Sequence, residues 1–172
     1  MQMRNLLPAL AGAVVLGAVA PLASAQPPPC RGNELGGAFT VVRGSAGAGQ
    51  ITYRLRVVNH SHGSCFLSGI PEARLLGLRW KPVPTHAVPA FPGALTAVRV
   101  ELAPGAAAAL TARFSPDVPG VGEPRAGLRC EPTAYRLLVT PSAGGTLPAK
   151  IVPSTPVCEH GRLVLSAFTR SR

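Results

Sequence analysis

After residue 3 the chain contains no methionine, and aspartate occurs once, as Asp117. Lysine is present only as Lys81 and Lys150, and the chain has a single tryptophan, Trp80, among aromatics that make up 5% of it. Each scarcity removes a class of chemistry. A Cu(I) carrier of the exported kind needs soft thioether ligands, which are missing here. Single-stranded nucleic acid is gripped by stacked aromatic rings, and this chain has few to offer, so no nucleic-acid partner is expected. Acid–base catalysis by paired carboxylates needs two acids on one face. Asp117 sits in a proline–glycine loop and the glutamates at 34, 72, 101, 123, 131 and 159 are scattered. There is no Gly-x-Ser-x-Gly elbow, no His-Glu-x-x-His and no phosphate-cradling loop with its lysine. No catalytic residue, cofactor or resident metal is expected.

Long apolar runs are also missing beyond the first 25 residues. Leu6 to Leu22 is almost wholly apolar, follows Arg4 and ends in Ala23-Ser24-Ala25. That order of charge, apolar stretch and small-residue site marks residues 1–25 as a secretory signal peptide, cleaved before Gln26. Residues 26–172 then form one exported domain, with no membrane span after cleavage. The formal net charge of the chain is +10, of which only Arg4 lies in the leader. Arginine carries nearly all of it.

What the exported part does have is four cysteines, Cys30, Cys65, Cys130 and Cys158. An even number in an oxidising compartment favours two disulfides. Four cysteines holding one zinc would need a closely spaced pair, which is missing. The pairing follows from two glycine-rich turns. Residues 44–49 separate the apolar runs Phe39 to Val42 and Ile51 to Val58, and Cys30 and Cys65 lie at nearly equal distances from that turn. Residues 142–145 lie midway between Cys130 and Cys158. If each turn closes a hairpin, Cys30 meets Cys65 and Cys130 meets Cys158.

Ile51, Tyr53, Leu55 and Val57 alternate with Thr52, Arg54 and Arg56, the pattern of a strand with one buried and one wet face. Further strands are expected at 73–78, 95–102, 107–114, 135–140 and 163–168. The alanine-rich Ala106 to Ala112 suits a helix on propensity, but Pro104-Gly105 ahead of it favours a strand after a turn. About seven short strands punctuated by prolines, with no helical period, imply an all-β, antiparallel, immunoglobulin-like sandwich.

Several motifs resemble one family. Cys30 precedes a glycine-rich turn, a strand ends at Asn59-His60-Ser61, and Cys65-Phe66-Leu67-Ser68-Gly69-Ile70-Pro71 follows. Glu101 to Gly105 then precedes the alanine-rich strand, and Cys130, Cys158 and Leu163-Val164-Leu165 complete the order. The chain is similar in these features to the domain of unknown function family 4232, found in secreted proteins and lipoproteins of high-GC Gram-positive bacteria. It departs from the pattern after Pro71, where many relatives have an aliphatic residue and this chain has Glu72-Ala73-Arg74. The resemblance implies a secreted β-domain and a cell-envelope setting, and it implies no activity.

The candidate binding residues fall into two groups. Arg54 and Arg56 share a strand face suited to an anionic cell-wall polymer or an envelope protein, although dispersed arginines also serve solubility. Trp80 lies between two cations ahead of a proline-spaced run to Phe91, and the two rings suit a sugar face or a peptide. A tryptophan there would equally well cap the core. His60 and His62 form a His-x-His pair that would need His86 or His160 as a third ligand, and Asn59-His60-Ser61 is a glycosylation sequon. Two roles stay open: a non-catalytic extracellular binding module, and an exported structural domain without a small ligand. An exposed Trp80 favours the first, a buried one the second.

Overall fold

A computed structural model describes residues 26–91, 98–124 and 129–171. Residues 1–25, expected to be a signal peptide, lie outside the described residues, as do residues 95–97 of the run expected to form a strand at 95–102. The structure is all-β, with eleven strands among the described residues. In chain order they are β1 (Leu35–Val41), β2 (Ile51–Asn59), β3 (Cys65–Leu67), β4 (Glu72–Leu76), β5 (His86–Pro89) and β6 (Val100–Leu102). They continue with β7 (Ala107–Phe114), β8 (Ala134–Thr140), β9 (Leu147–Thr155), β10 (Arg162–Leu165) and β11 (Thr169–Arg170).

Eight strands lie side by side in the order β4-β8-β9-β1-β2-β7-β10-β5, with β11 added on β7 and a separate ribbon of β3 and β6. The two ends of this path come back to each other. Leu75 on β4 donates its N–H to Thr85 Oγ1 at 2.8 Å and accepts from the Val83 N–H at 3.1 Å. The result is a nearly closed barrel of eight strands, which corrects the expectation of an immunoglobulin-like sandwich of about seven. The strictly antiparallel expectation is also corrected, because β1 pairs parallel with β9 and β10 pairs parallel with β5. The reason is in the chain. The sequence between β2 and β7 supplies both ends of the path, β4 and β5, so two strands close in sequence stand at opposite ends of the hydrogen-bonded order and meet where the barrel nearly closes.

The barrel interior is filled by the alternate residues of its longest strands. On β2, Tyr53, Leu55 and Val57 are buried while Arg54 and Arg56 are exposed. Opposite them on β7 stand Ala112, Leu110 and Ala108, also buried. Small residues against large ones let two curved strands fill a narrow core without voids. Tyr53 lies between Phe39 and Phe114, with ring centroids 5.1 and 5.2 Å away, and its hydroxyl donates to the Pro153 carbonyl at 2.9 Å. Burial pushes the Tyr53 hydroxyl pKa up. The alanine-rich β7 is therefore a strand for tertiary reasons: it is the complement of an aromatic stack.

Both hairpins and both disulfides match the expectation. β1 and β2 pair antiparallel from Leu35 opposite Asn59 to Val41 opposite Tyr53, and Cys30–Cys65 closes the open end with a Cα separation of 4.9 Å. β8 and β9 pair from Val139 opposite Leu147, and Cys130–Cys158 lies at their base with Cα atoms 5.4 Å apart. No helix among the described residues is long and apolar enough to cross a membrane.

Candidate functional site

The outer face of the barrel carries most of the features that the sequence left separate. Residues paired across neighbouring strands share a face, so the register defines rows. One row runs from Arg136 on β8 to Lys150 on β9, Ala38 on β1, Arg56 on β2 and Ala109 on β7. The adjacent row holds Val152, Thr40, Arg54 and Thr111. Arg113 stands further along β7, opposite Thr52. The five contiguous strands β8, β9, β1, β2 and β7 thus present five cations: Arg136, Lys150, Arg54, Arg56 and Arg113. Their sequences contain no aspartate or glutamate.

Between the two groups of cations, β1 contributes only small side chains, Ala38 and Thr40, both exposed. Lys150 and Arg56 lie one strand to either side of Ala38, so their backbones are about 10 Å apart at ordinary strand spacing. The result is a shallow basic trough along β1. At one end His60 closes it, since a Cβ built on Gly36 would come within 2.5 Å of the His60 ring. Arg54 also lines a smaller depression with Thr111, Ser166 and Arg170.

Trp80 joins this face through Arg136, whose guanidinium sits 4.4 Å from the centroid of its ring. The indole is 52% exposed, so it does not cap the core. Trp80 ends a short 3-10 turn, Leu78–Trp80, in which Arg79 and Trp80 both take left-handed backbone angles (φ 53° and 64°). Non-glycine residues rarely adopt these angles, and here they turn the ring back over β8. Phe91 is 71% exposed just beyond β5, and no ring contact joins it to Trp80 among the described residues. Both aromatics are exposed, and the contact that Trp80 makes is with Arg136. The sequence lacked a signal for this partnership, since 56 positions and a change of strand separate the two residues.

The histidines are placed differently from the metal alternative weighed above. Among the described residues, two groups bring three potential ligand atoms within 4.8 Å: Glu123, Glu131 and His160, and Glu123 with Cys130 and Cys158. His60, His62 and His86 belong to neither. The two sulfurs are bonded to each other and are not thiolate ligands. Glu123, buried, accepts backbone N–H bonds from Gly120 at 2.6 Å, from Glu159 at 2.9 Å and from His160. Glu159, His160 and Gly161 are consecutive left-handed residues (φ 56°, 56° and 76°), and the N–H groups of the first two converge on one carboxylate. Glu123 is thus the internal anion of a backbone nest, and its first task is to hold that turn. Burial alone would raise its pKa, but these donors outweigh burial and hold it below the ordinary glutamate value. Glu131 is pushed above that value by burial and by the Glu123 carboxylate beside it. The His160 ring lies 3.7 Å from both carboxylates. The cluster thus sets two carboxylates with opposite pKa shifts beside one imidazole. Sequence spacing could not show it, because His160 comes from the turn after β9 whereas Glu123 and Glu131 lie in the connection between β7 and β8.

The sequon is occupied from within. Asn59 is fully buried, and its amide donates to the Gly63 carbonyl at 2.8 Å and the Leu102 carbonyl at 3.0 Å. Its oxygen accepts from the Ser61 N–H and hydroxyl.

No curated protein and no solved structure matches the chain. A family model does match, over residues 30–169, and the chain belongs to that family, the domain of unknown function DUF4232.

Proposed function

We propose that this protein is an exported, non-catalytic binding module of the cell envelope or extracellular space that holds an anionic polymer on the outer face of its barrel. The observation that carries the reading is the charge pattern of five contiguous strands, with five cations and no carboxylate. Dispersed arginines that only keep a protein soluble would be interleaved with acids. The seven acids lie off these five strands: Glu101 pairs with Arg99 at 3.5 Å, Glu159 with Arg162 at 3.4 Å, Glu123 and Glu131 are largely buried, Glu34 and Asp117 lie outside the strands, and Glu72 stands on β4 beside β8. A face of one sign attracts a polyanion and orients it before contact. The exposed Trp80, stacked on Arg136 of the same face, favours binding over a purely structural role. An envelope protein with an acidic surface is the alternative partner of the same chemistry.

The experiment is retention of the protein on immobilised polyphosphate at low ionic strength. We expect retention that drops when Arg54, Arg56 and Lys150 are changed together to alanine. Equal retention of that variant and the native protein would remove this face as the site. No retention of either would remove the polyanion reading and leave the structural role.

A further inference from the structure

Beside the basic rows, two grooves share one wall. The first, of about 410 Å³, is lined by Leu78, Pro82, Val83 and Tyr135, with the cations Lys81 and Arg129. The second, of about 460 Å³, is lined by Tyr135, Val152 and Pro153, with the cations Arg136 and Lys150. Tyr135 is 38% exposed and stands between them. The walls of both are mainly apolar, no carboxylate lines either, and each has two cations. Each volume lies within the range of about 300–1,000 Å³ usual for small-molecule clefts.

The repetition is the informative feature. A bare polyanion such as a phosphate chain has no apolar surface to bury, so cations alone would suffice for it. A single small ligand needs one groove. Two similar grooves, each pairing apolar walls with two cations across an aromatic ridge, fit a ligand that repeats the same combination. A pyranose ring has an apolar C–H face and a polar rim, and it packs on aromatic and proline surfaces through the area removed from water. An anionic group on or between such rings meets the lysine or arginine beside each groove.

We propose that the Tyr135 ridge and the grooves on its two sides bind consecutive units of an anionic glycan, one sugar ring in each groove, with the anionic groups held by Lys81 and Arg129 on one side and Arg136 and Lys150 on the other. The proposal deepens the polyanion reading given above and rests on it. It names sugar as the part of the ligand that is read by shape, and leaves charge to the wider face. Both a phosphate-linked and a uronic-acid glycan carry this chemistry.

Trp80, the single tryptophan, lies against Arg136 and reports occupancy through its fluorescence. The full protein is titrated at low salt with four probes: polygalacturonate, a glucosyl-phosphate polymer, polyphosphate, and neutral dextran. Both charged glycans should bind at least about tenfold more tightly per charge than polyphosphate, a difference of about 1.4 kcal/mol, and dextran should bind weakly. Tyr135→Ala should remove that tenfold advantage while leaving polyphosphate affinity unchanged, and Tyr135→Phe should keep it. Because Tyr135 is partly exposed, its replacement is compatible with folding, which the melting transition checks. If the glucosyl-phosphate polymer alone shows the advantage, the anion is phosphate; if polygalacturonate alone does, it is carboxylate. Either result supports the proposal. Charged glycans that bind no better than polyphosphate, or a Tyr135→Ala variant that weakens all polyanions equally, would overturn the sugar grooves while leaving the basic face standing. Failure of every polyanion to bind would overturn the polyanion reading itself.

Discussion

Asn59 heads a sequon, yet every hydrogen-bonding atom of its side chain is already used inside the protein. Its amide ties the end of β2 to the loop at Gly63 and to β6 at Leu102. Replacing it with alanine takes a donor from the buried Leu102 carbonyl, which costs about 1–3 kcal/mol for a group left buried and unpaired, while the exposed Gly63 carbonyl keeps the Ser61 hydroxyl as its donor. Asn59→Ala should therefore lower the urea midpoint substantially, and expression in a glycosylating host should add no sugar to Asn59. An unchanged midpoint would mean that these bonds contribute little. Glu131 supports a second prediction at this scale. It keeps its proton more tightly in the folded chain, so its contribution to stability is complete below the ordinary glutamate value and is lost as pH rises through the raised one. Glu123 has the opposite sign: its contribution is present above the ordinary value and is lost as pH falls through the depressed one. Glu131→Gln, which stays neutral, should abolish the decline toward neutral pH while keeping the loss in acid. Thermal melts across pH that still show the same decline would place its origin elsewhere. Neither residue could be singled out from sequence, because burial and a facing carboxylate are properties of the fold.

The elements were legible where their cause was local. β2 alternates because one face is wet, and β1 and β8–β9 follow from glycine turns that bring chain ends together. The midpoints of those turns were enough to pair the cysteines. What was not legible depends on distant partners. β9 contains Pro148 and Pro153, and β5 ends at Pro89, residues that demote a run to an edge or exclude it from a sheet. Both strands exist because β1, β8 and β10 supply the remaining hydrogen bonds. The parallel pairs were hidden for the same reason: they join segments more than 70 positions apart. The packing of β7 on β2 makes a direct prediction. Ala112 is fully buried opposite Tyr53, so Ala112→Leu should overpack the aromatic stack and cost about 1–3 kcal/mol. Denaturant unfolding that shows no loss would mean the barrel has spare room there. Each disulfide closes a loop of moderate length, 35 and 28 positions, worth about 3–4 kcal/mol if the unfolded-chain entropy account holds. Changing both members of one pair to alanine should lower stability by about that amount, read from the same unfolding curves.

At the scale of the whole molecule, the barrel turns a scattered set of arginines into one face. Arg54 and Arg56 were visible as neighbours on a strand, but Arg136 and Lys150 join them only through the parallel pairing of β1 with β9. The same pairing brings Trp80, held on β8, within reach of the row. Sequence spacing therefore identified half of the candidate site and missed what unites it. If the face binds a polyanion chiefly by charge, the attraction should weaken as the screening length contracts from about 10 Å at 0.1 M salt to about 3 Å at 1 M. Contacts made by Trp80 should survive that change, because they depend on area removed from water. The most direct measurement is retention on an anionic glycan matrix as a function of salt, for the native protein, Arg54→Ala with Arg56→Ala, and Trp80→Ala. The account predicts a steep fall for the native protein, a shallower one for the double arginine variant, and an unchanged slope with a smaller salt-resistant remainder for Trp80→Ala. Identical slopes for the native protein and the double arginine variant would contradict it.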